Sequence, residues 1–360
     1  MKPSKLNLES LGWDAFFKDN FAPFLDEGLV PGRITEVQRR SSIALTEGGE
    51  LDVSMSRKYD PESGPYPVVG DWVAIEPGSK EYTGLIRAVL PRKNKFSRKA
   101  AGKDLKEQVM AANVDYVWIV TDLDKDFKVP RIERYLTLVS ESGSQPVVIL
   151  NKSDVSKDLE GKTEEIKRLD PSIPVHIMSA ELDEGLDALK QYMVKGKTIT
   201  ILGSSGVGKS TIINRILGKE RQDTCPTRKS DGRGRHITTY RELIQLPKGG
   251  MIIDNPGMRE IQLWTDGTGI AEVFEDIEAL ARGCKFSDCR HRTEPGCAVK
   301  KALESGELDR ERFEHYLKLS TEVEFLIIKQ KKLLRRNEKA KWKNVKKYGR
   351  EILAKKTGKI

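Results

Sequence analysis

One short motif restricts the fold of this chain more than any other feature. Residues 203–210 match G-x-x-x-x-G-K-[ST], the pattern of a phosphate-binding loop. The run 197–202 before it is β-branched and apolar and predicts a buried strand. The run 211–217 after it predicts a helix, which Gly218 can end. Because strand, loop and helix occur in the order the pattern requires, an accidental match in a Gly/Ser-rich turn is disfavoured.

The residue types of this motif suit phosphate chemistry. Glycines let backbone N–H groups surround phosphate oxygens without a Cβ in the way, and the helix N-terminus adds partial positive charge. The lysine would reach the β- and γ-phosphates, and the Ser210 hydroxyl would bind Mg²⁺. The candidate phosphate-binding residues are Gly203, Ser204, Ser205, Gly206, Val207, Gly208, Lys209, Ser210 and Thr211.

A second motif, N-K-x-D at residues 151–154, follows a predicted strand and indicates guanine recognition. Its aspartate would accept from the N1–H and N2–H₂ groups of guanine, its lysine stem would pack over the ring, and its asparagine would brace the loops. A Ser-Ala pair after the next strand would present backbone to guanine O6. A polar strand-to-helix turn is the alternative, and the phosphate loop in the same α/β unit disfavours it. The candidate base-binding residues are Asn151, Lys152, Asp154, Ser179 and Ala180.

Two further segments predict switches that sense the γ-phosphate. The glycine-rich, basic stretch 230–239 is typical of a mobile loop, in which Thr238 or Thr239 would be the second hydroxyl ligand of Mg²⁺. The strand before D-x-P-G ends at Asp254, which would hold the water shell of the metal. The N–H of Gly257 would face the γ-phosphate.

The residue after Gly257 is Met258, where many GTPases have a water-orienting glutamine. A thioether orients water poorly, so intrinsic hydrolysis should be slow and another group should assist. His236 in the first switch is the candidate catalytic group, and an exposed loop histidine is the alternative.

The order of these motifs predicts a circularly permuted domain. Strands alternate with helices from about residue 105 to 262, which indicates a mostly parallel sheet. In ordinary GTPases the phosphate loop comes first and N-K-x-D comes late, whereas here N-K-x-D comes first. The same sheet can form if the original termini lie close together.

Five short β-rich runs between residues 28 and 97 predict a small barrel. An OB-like barrel is favoured, although an SH3-like barrel would give a similar pattern. The preceding residues 1–27 predict an amphipathic extension that docks on a neighbouring domain. The basic run 91–100 is either a solvated linker or, as we favour, a phosphate-contacting arm in which Phe96 stacks on a base.

A metal site is predicted near the C-terminus. The spacing C-x₄-C-x-H-x₅-C offers three thiolates and one imidazole, a closed tetrahedral set for structural Zn²⁺. Its residues are Cys284, Cys289, His291 and Cys297. Cys225 stands apart and is interpreted as a small apolar residue.

Composition restricts the class of protein and its partners. The net charge of +9 suits a polyanionic partner such as nucleic acid, although it also fits a merely basic soluble protein. No run of eighteen apolar residues and no signal-peptide core occurs, so a cytoplasmic location is expected. From residue 329 onward the chain predicts a basic helix, either a solvated tail or an RNA-binding arm; we favour the arm.

Together these residues resemble the circularly permuted GTPases of small-ribosomal-subunit biogenesis, the RsgA (YjeQ) family. The resemblance rests on N-K-S-D, G-S-S-G-V-G-K-S, G-R-G-R-H-I-T-T, D-N-P-G-M-R-E and the cysteine motif, and covers roughly residues 28–320. Where the family usually has His-Thr-Thr-Thr, this chain has His-Ile-Thr-Thr, so the Mg²⁺-binding threonine stays open.

The resemblance implies a multi-domain fold, GTP and GDP as ligands with Mg²⁺ and one Zn²⁺, and contact with the small subunit and its rRNA during late maturation. A monomer without membrane attachment is expected. Two alternatives are an RNA scaffold that holds GTP without turnover, and a GTPase acting on another RNA. The expected parts are an extension (1–27), an OB-like RNA-binding barrel (28–97), a permuted P-loop GTPase domain (98–265), a helical zinc-binding domain (266–320) and a basic helical tail (321–360).

Overall fold

The computed structural model describes residues 6–38, 41–55, 65–78, 83–100, 107–124, 126–156, 158–218, 241–254, 264 and 267–356. The chain divides into two units. One unit comprises residues 1–98 and 108–262, and the other comprises residues 99–107 and 263–360.

The β-rich segment of the first unit folds into a closed five-stranded barrel. Its strands pair in the order β1-β2-β3-β5-β4, and β4 pairs again with β1. Alternate residues of β2 and β5 point into an apolar interior, as expected where one face of a strand is buried. The prediction of an OB-like barrel is confirmed. The strands are β1 (Val30–Val37), β2 (Ser42–Thr46), β3 (Gly49–Met55), β4 (Trp72–Pro77) and β5 (Thr83–Val89).

The N-terminal segment packs against this barrel, as predicted. It consists of helix α1 (Ala15–Phe21) between two short 3₁₀ helices, Leu8–Leu11 and Ala22–Glu27. The rings of Trp13 and Trp72 lie 4.6 Å apart between centroids, and both are buried. Aromatic burial of this kind fixes the segment to the barrel.

Arg33 of β1 is a buried cation that joins several segments of the first unit. Burial lowers its pKa to about 10. A guanidinium has five N–H donors, and here each meets a neutral acceptor. The acceptors are the carbonyls of Leu11, Gly70 (3.3 Å) and Asn113 (3.2 Å), the Thr198 hydroxyl (2.8 Å) and the Met251 sulfur (3.6 Å).

The α/β part of the first unit contains a sheet in the order β10-β9-β8-β11-β13-β12. The neighbouring strands β10, β9, β8, β11 and β13 all run parallel to one another. The edge strand β12 runs antiparallel to β13. The central strands are apolar runs buried on both faces, as parallel sheets require. The predicted permuted order is confirmed, because strands that come before the phosphate loop in the chain lie in its sheet. The strands are β8 (Tyr116–Asp122), β9 (Gln145–Asn151), β10 (Val175–Ile177), β11 (Thr198–Leu202), β12 (Glu242–Gln245) and β13 (Met251–Asp254).

The connections place the motifs at one edge of this sheet. Helices α2 (Val129–Ser142), α3 (Leu159–Leu169) and α4 (Lys209–Leu217) follow β8, β9 and β11. The phosphate loop, N-K-x-D, the Ser-Ala pair and Asp254 all follow carboxyl ends of strands, where open α/β sheets bind ligands. The segment Leu186–Tyr192 forms a 3₁₀ helix.

One strand not predicted from the sequence, β12, joins the barrel to the α/β sheet. β12 pairs with β1 at Glu36 and Glu242, so the described strands of both parts form one sheet. The basic run after the barrel contains β6 (Lys95–Lys99), which pairs with β7 (Glu107–Ala112). Phe96 of β6 is fully buried, so the prediction that it stacks on a base is wrong.

The second unit is helical. Helices α6 and α8 are joined by Arg312, which donates to Asp276 through two bonds of 2.7 Å, and by the Tyr316 phenol, which donates to Glu278 at 2.8 Å. Across the described residues, no helix combines the length and apolar composition needed to span a bilayer. The helices are α5 (Thr268–Val273), α6 (Glu275–Ala281), α7 (Ala298–Ser305) and α8 (Arg310–Lys356).

Candidate functional site

The phosphate loop joins β11 to α4 in a conformation that requires glycine. Gly203 and Gly208 have φ of +148° and +99°. A Cβ on Gly203 would lie 2.3 Å from the Val120 carbonyl oxygen. Lys209 begins α4, and its ammonium donates to the carbonyls of Gly203 (2.7 Å) and Ser204 (2.5 Å). The loop is therefore closed on its own lysine, which phosphate oxygens could engage instead.

The environment of Lys209 favours an anionic ligand. Burial lowers the pKa of Lys209 to about 8, while the carboxylates of Asp254 and Asp126 raise it. A phosphate group would add negative charge next to this ammonium and stabilise its protonated form. Ser205 and Gly206 are exposed at the turn of the loop, whereas Val207 is buried beneath it. The hydroxyls of Ser210 and Thr211 lie in the half-buried first turn of α4.

Asn151 connects the N-K-x-D loop to both neighbouring loops. Its side-chain amide donates to the Val207 carbonyl at 2.7 Å, and its oxygen accepts from the Ala180 N–H at 3.0 Å. The fit is close, because a Cβ on Gly208 would lie 2.2 Å from the amide nitrogen. Both polar atoms of a buried amide are satisfied, so three loops are held in a fixed relation.

Asp154 and Ser179, two of the candidate base-binding residues, are joined by a hydrogen bond. The Ser179 hydroxyl donates to one carboxylate oxygen of Asp154 at 2.5 Å and accepts from the Leu182 N–H at 3.2 Å. The Ser179 side chain is buried, which orients the carboxylate. An ionised carboxylate has four acceptor positions, so the other oxygen can accept from a base.

Lys152 occupies an uncommon backbone position in the same loop. Its φ is +63°, and its ammonium pairs with Asp122 at 3.0 Å. The second oxygen of Asp122 accepts from the N–H groups of Asp124 (3.2 Å) and Asp126 (2.8 Å). These backbone donors and Lys152 hold the pKa of Asp122 below its usual value despite burial.

Three residues beside the site were not predicted from the sequence. Asp122 could have been found, because it ends a buried strand at the same edge as the motifs. Arg131 of α2 donates to Ser204 of the phosphate loop, and Tyr135 of the same helix lies near that serine. No local pattern marks them, since the contact joins residues 73 positions apart.

Asp254 ends β13, the strand next to β11, and lies at the phosphate side of the site. It acts on Lys209 electrostatically, as noted above. The other predicted switch residues lie outside the described residues, as does Cys225: His236, Thr238, Thr239, Gly257 and Met258.

The predicted metal ligands come together in the second unit. The ligand atoms of Cys284, Cys289, His291 and Cys297 all lie within 4.8 Å of one another. The sulfurs of Cys284 and Cys297 are 3.8 Å apart, and His291 Nδ1 lies 3.6 and 3.4 Å from them. Ligands about 2.3 Å (sulfur) and 2.0 Å (nitrogen) from one tetrahedral ion would show nearly these separations. The residues therefore fit Zn²⁺, bound through Nδ1 of the histidine.

Comparison with known proteins identifies the family of this chain. The model of the RsgA GTPase family matches residues 89–264. A protein from Opitutus terrae named "Small ribosomal subunit biogenesis GTPase RsgA" is 44% identical over 352 residues, covering 94% of this chain and 96% of the relative. The chain belongs to the RsgA GTPase family. A relative of the same name from Streptomyces avermitilis is 41% identical to this RsgA-family chain, covering 96% of this chain and 94% of the relative.

Solved structures agree with this assignment. The crystal structure of YjeQ from Thermotoga maritima matches with a TM-score of 0.62 and 27% identity, covering 82% of this RsgA-family chain and 98% of that protein. The structure of YloQ, a circularly permuted GTPase, matches in fold with a TM-score of 0.59 and 24% identity. A second family model, described as 50S ribosome-binding GTPase, matches residues 198–343.

Proposed function

We propose that this chain binds the small ribosomal subunit and its rRNA, assists late maturation of that subunit, and hydrolyses GTP to GDP and phosphate for its own release. The observation that carries the proposal is the nucleotide site itself, in which Asn151 joins the base loops to the phosphate loop. The relatives named for small ribosomal subunit biogenesis supply the partner.

In this proposal the base is guanine. The Asp154 carboxylate accepts from the two N–H donors of guanine, while Ser179 holds it in place. Adenine lacks this pair of donors and would leave the carboxylate without them. Asn151 braces the loops, the Ala180 backbone faces guanine O6, and the stem of Lys152 packs over the ring while its ammonium stays with Asp122.

The phosphates would lie in the loop 203–211, with Lys209 moving from the loop carbonyls to the phosphate oxygens. The Ser210 hydroxyl would bind Mg²⁺, together with Thr238 or Thr239, and Asp254 would hold the water shell of the metal. His236 is proposed as the group that assists hydrolysis, and Gly257 as the γ-phosphate sensor. The roles of His236, Thr238, Thr239 and Gly257 are inferred from their positions in the sequence motifs, because these four residues lie outside the described ones.

The proposed RNA contacts use the barrel, the Cys₃His segment and the basic helix. Phe286 is 41% exposed within the Cys₃His segment, and the Lys285 ammonium lies 5.5 Å from its ring centroid. An exposed aromatic ring beside a cation suits an unpaired base and its phosphate. Helix α8 carries exposed Phe325, Ile328 and Trp342 along a lysine-rich sequence. We further propose a monomer in the cytoplasm, divided as the sequence predicts into residues 1–27, 28–97, 98–265, 266–320 and 321–360.

The decisive experiment is GTP hydrolysis titrated with purified small subunits. We expect slow multiple-turnover phosphate release by the protein alone and saturable stimulation by small subunits. Matched titrations with large subunits and with bulk tRNA should give little stimulation.

Two outcomes would contradict the proposal. Tight GTP binding without turnover at any subunit concentration would indicate an RNA scaffold. Stronger stimulation by large subunits, with co-sedimentation in their gradient fraction, would indicate another RNA target, which the match to the 50S ribosome-binding model makes a worthwhile comparison.

A further inference from the structure

Helix α2 holds the second residue of the phosphate loop from outside the loop. Nη1 of Arg131, in the first turn of the helix, donates to the Ser204 hydroxyl at 2.9 Å. One turn further along lies the buried Tyr135 phenol, whose pKa is raised by burial and lowered in part by the nearby Ser204 hydroxyl. The Ser204 carbonyl accepts from Lys209 at 2.5 Å. Ser204 is therefore fixed through its side chain and its backbone.

The same guanidinium pairs with a carboxylate beside the phosphate site. Nη1 of Arg131 contacts Asp126, and the two side chains are only 33% and 17% exposed. The Asp126 backbone N–H donates to Asp122 at 2.8 Å, which fixes the loop between β8 and α2. Asp126 is near enough to Lys209 to raise the pKa of that ammonium. A polyphosphate bound at Lys209 would therefore also feel the charge of Asp126.

The Asp126 carboxylate repels a bound polyphosphate, because water screens the two negative charges incompletely at this half-buried position. It therefore opposes nucleotide binding unless a cation compensates its charge. Arg131 supplies that compensation and, from the same nitrogen, holds the loop. Lysine at this position would keep the charge and lose the planar fork, whereas methionine would keep the length of the side chain and lose both.

We propose that Arg131 is a positioning residue of the nucleotide site, which holds Ser204 and offsets Asp126 so that the loop accepts a polyphosphate. This role depends on the proposed function only in that the loop binds a guanine nucleotide. It does not depend on the ribosomal partner. Asp126 and Arg131 lie outside the motifs that identify the site.

The test is a charge-compensation cycle on the full chain. The Kd values for fluorescent GDP and for a non-hydrolysable GTP analogue are measured for Arg131→Met, Arg131→Lys, Asp126→Asn and the double variant R131M/D126N. We expect Arg131→Met to weaken both ligands by about tenfold. Asp126→Asn in that background should restore affinity to within about threefold of the starting protein, and Arg131→Lys alone should stay within the same range. Lys128→Met, which removes an exposed cation at the start of the same helix, is the matched control and should leave Kd unchanged.

Ionic strength separates charge from packing. The weakening caused by Arg131→Met should shrink at 1 M salt, where the Debye length is about 3 Å. Unchanged affinity in Arg131→Met would overturn the proposal. The proposal would also be overturned if Arg131→Met lowered both affinity and Tm and Asp126→Asn did not restore the affinity. That result would mean that Arg131 acts through the packing of the helix. Stimulation by small subunits is measured alongside on the unmodified protein, so its absence counts against the proposed function and leaves the comparison among Arg131 variants intact.

Discussion

The nucleotide site and the Cys₃His cluster bring their residues together over very different distances along the chain. In the nucleotide site, hydrogen bonds between candidate binding residues join positions 25, 29 and 56 residues apart. In the cluster, all four ligands come from the segment 284–297. The nucleotide site is held by the sheet and by hydrogen bonds among its loops. The cluster instead depends on the metal ion that its four ligands would share. The two should therefore fail differently when one residue is removed.

The largest effect is expected in the cluster. Cys289→Ala removes one of four ligands from a closed set, so bound zinc should fall from about one per chain to nearly none. Residues near 284–297 should lose order, while affinity for GDP stays near its starting value. Elemental analysis and fluorescent GDP titration measure the two effects. Cys225→Ala, which removes the cysteine outside the motif, is the control and should keep the zinc. Full zinc content in Cys289→Ala would contradict the assignment of the ligands.

The second effect separates hydrolysis from binding within the nucleotide site. His236→Ala should lower subunit-stimulated turnover by about 10²–10⁴-fold, as expected for a lost acid/base group, because Met258 offers water no polar partner. Affinity for a GTP analogue and for the small subunit should be retained. Turnover is measured at saturating subunits and binding by co-sedimentation. If both are unchanged, the histidine is not the catalytic group and the ribosome must supply it.

A smaller effect, on nucleotide affinity, is expected when the proposed base-binding residue Asp154 is changed. Asp154→Asn places a donor where guanine also donates, and the mismatch should cost about 1–3 kcal/mol of GTP binding. Preference for GTP over ATP should weaken. Xanthosine triphosphate, which has an acceptor oxygen in place of the guanine amino group, should bind the variant better than GTP. Competition against a fluorescent nucleotide measures all three, and an unchanged preference for GTP would remove the base-reading role from Asp154.

The smallest effect tests how far the nucleotide site is preorganised. Ser179→Ala removes the hydroxyl that orients Asp154, so GTP binding should weaken by about 0.5–1.5 kcal/mol, the net worth of one hydrogen bond. Zinc content should not change, which would show that the effect is confined to the nucleotide site. Isothermal titration with GDP measures the loss. An unaltered Kd would mean that the carboxylate is oriented by the backbone alone.

The sequence was informative wherever function depends on a short, local pattern. The phosphate loop needs Gly203 and Gly208 because the Val120 carbonyl of β8 and the Asn151 amide lie where their Cβ atoms would be. The glycine positions of the motif reflect that requirement. The spacing of the cysteines and the histidine likewise predicts all four residues of the cluster. The barrel and the buried strands follow from alternation and from apolar runs.

Contacts between distant segments could not be predicted in this way. Phe96 lies in a basic run that suggests exposure to solvent, yet its side chain is fully buried. The pairing of β12 with β1 depends on the relative placement of two folded parts. Arg131 acts through Ser204 and Asp126, and only the packing of α2 brings the guanidinium to the loop. Such contacts are set by the tertiary structure as a whole.

Arg33 also bears on the order in which the chain can mature during its synthesis. Its guanidinium leaves water only when Asn113, Thr198 and Met251 have arrived, and these leave the ribosome long after the barrel strand that carries it. Burying the charge earlier would leave its N–H groups without acceptors, at a cost that a nascent barrel could not offset. We therefore expect this face of the barrel to stay hydrated until the strands that carry these acceptors have emerged.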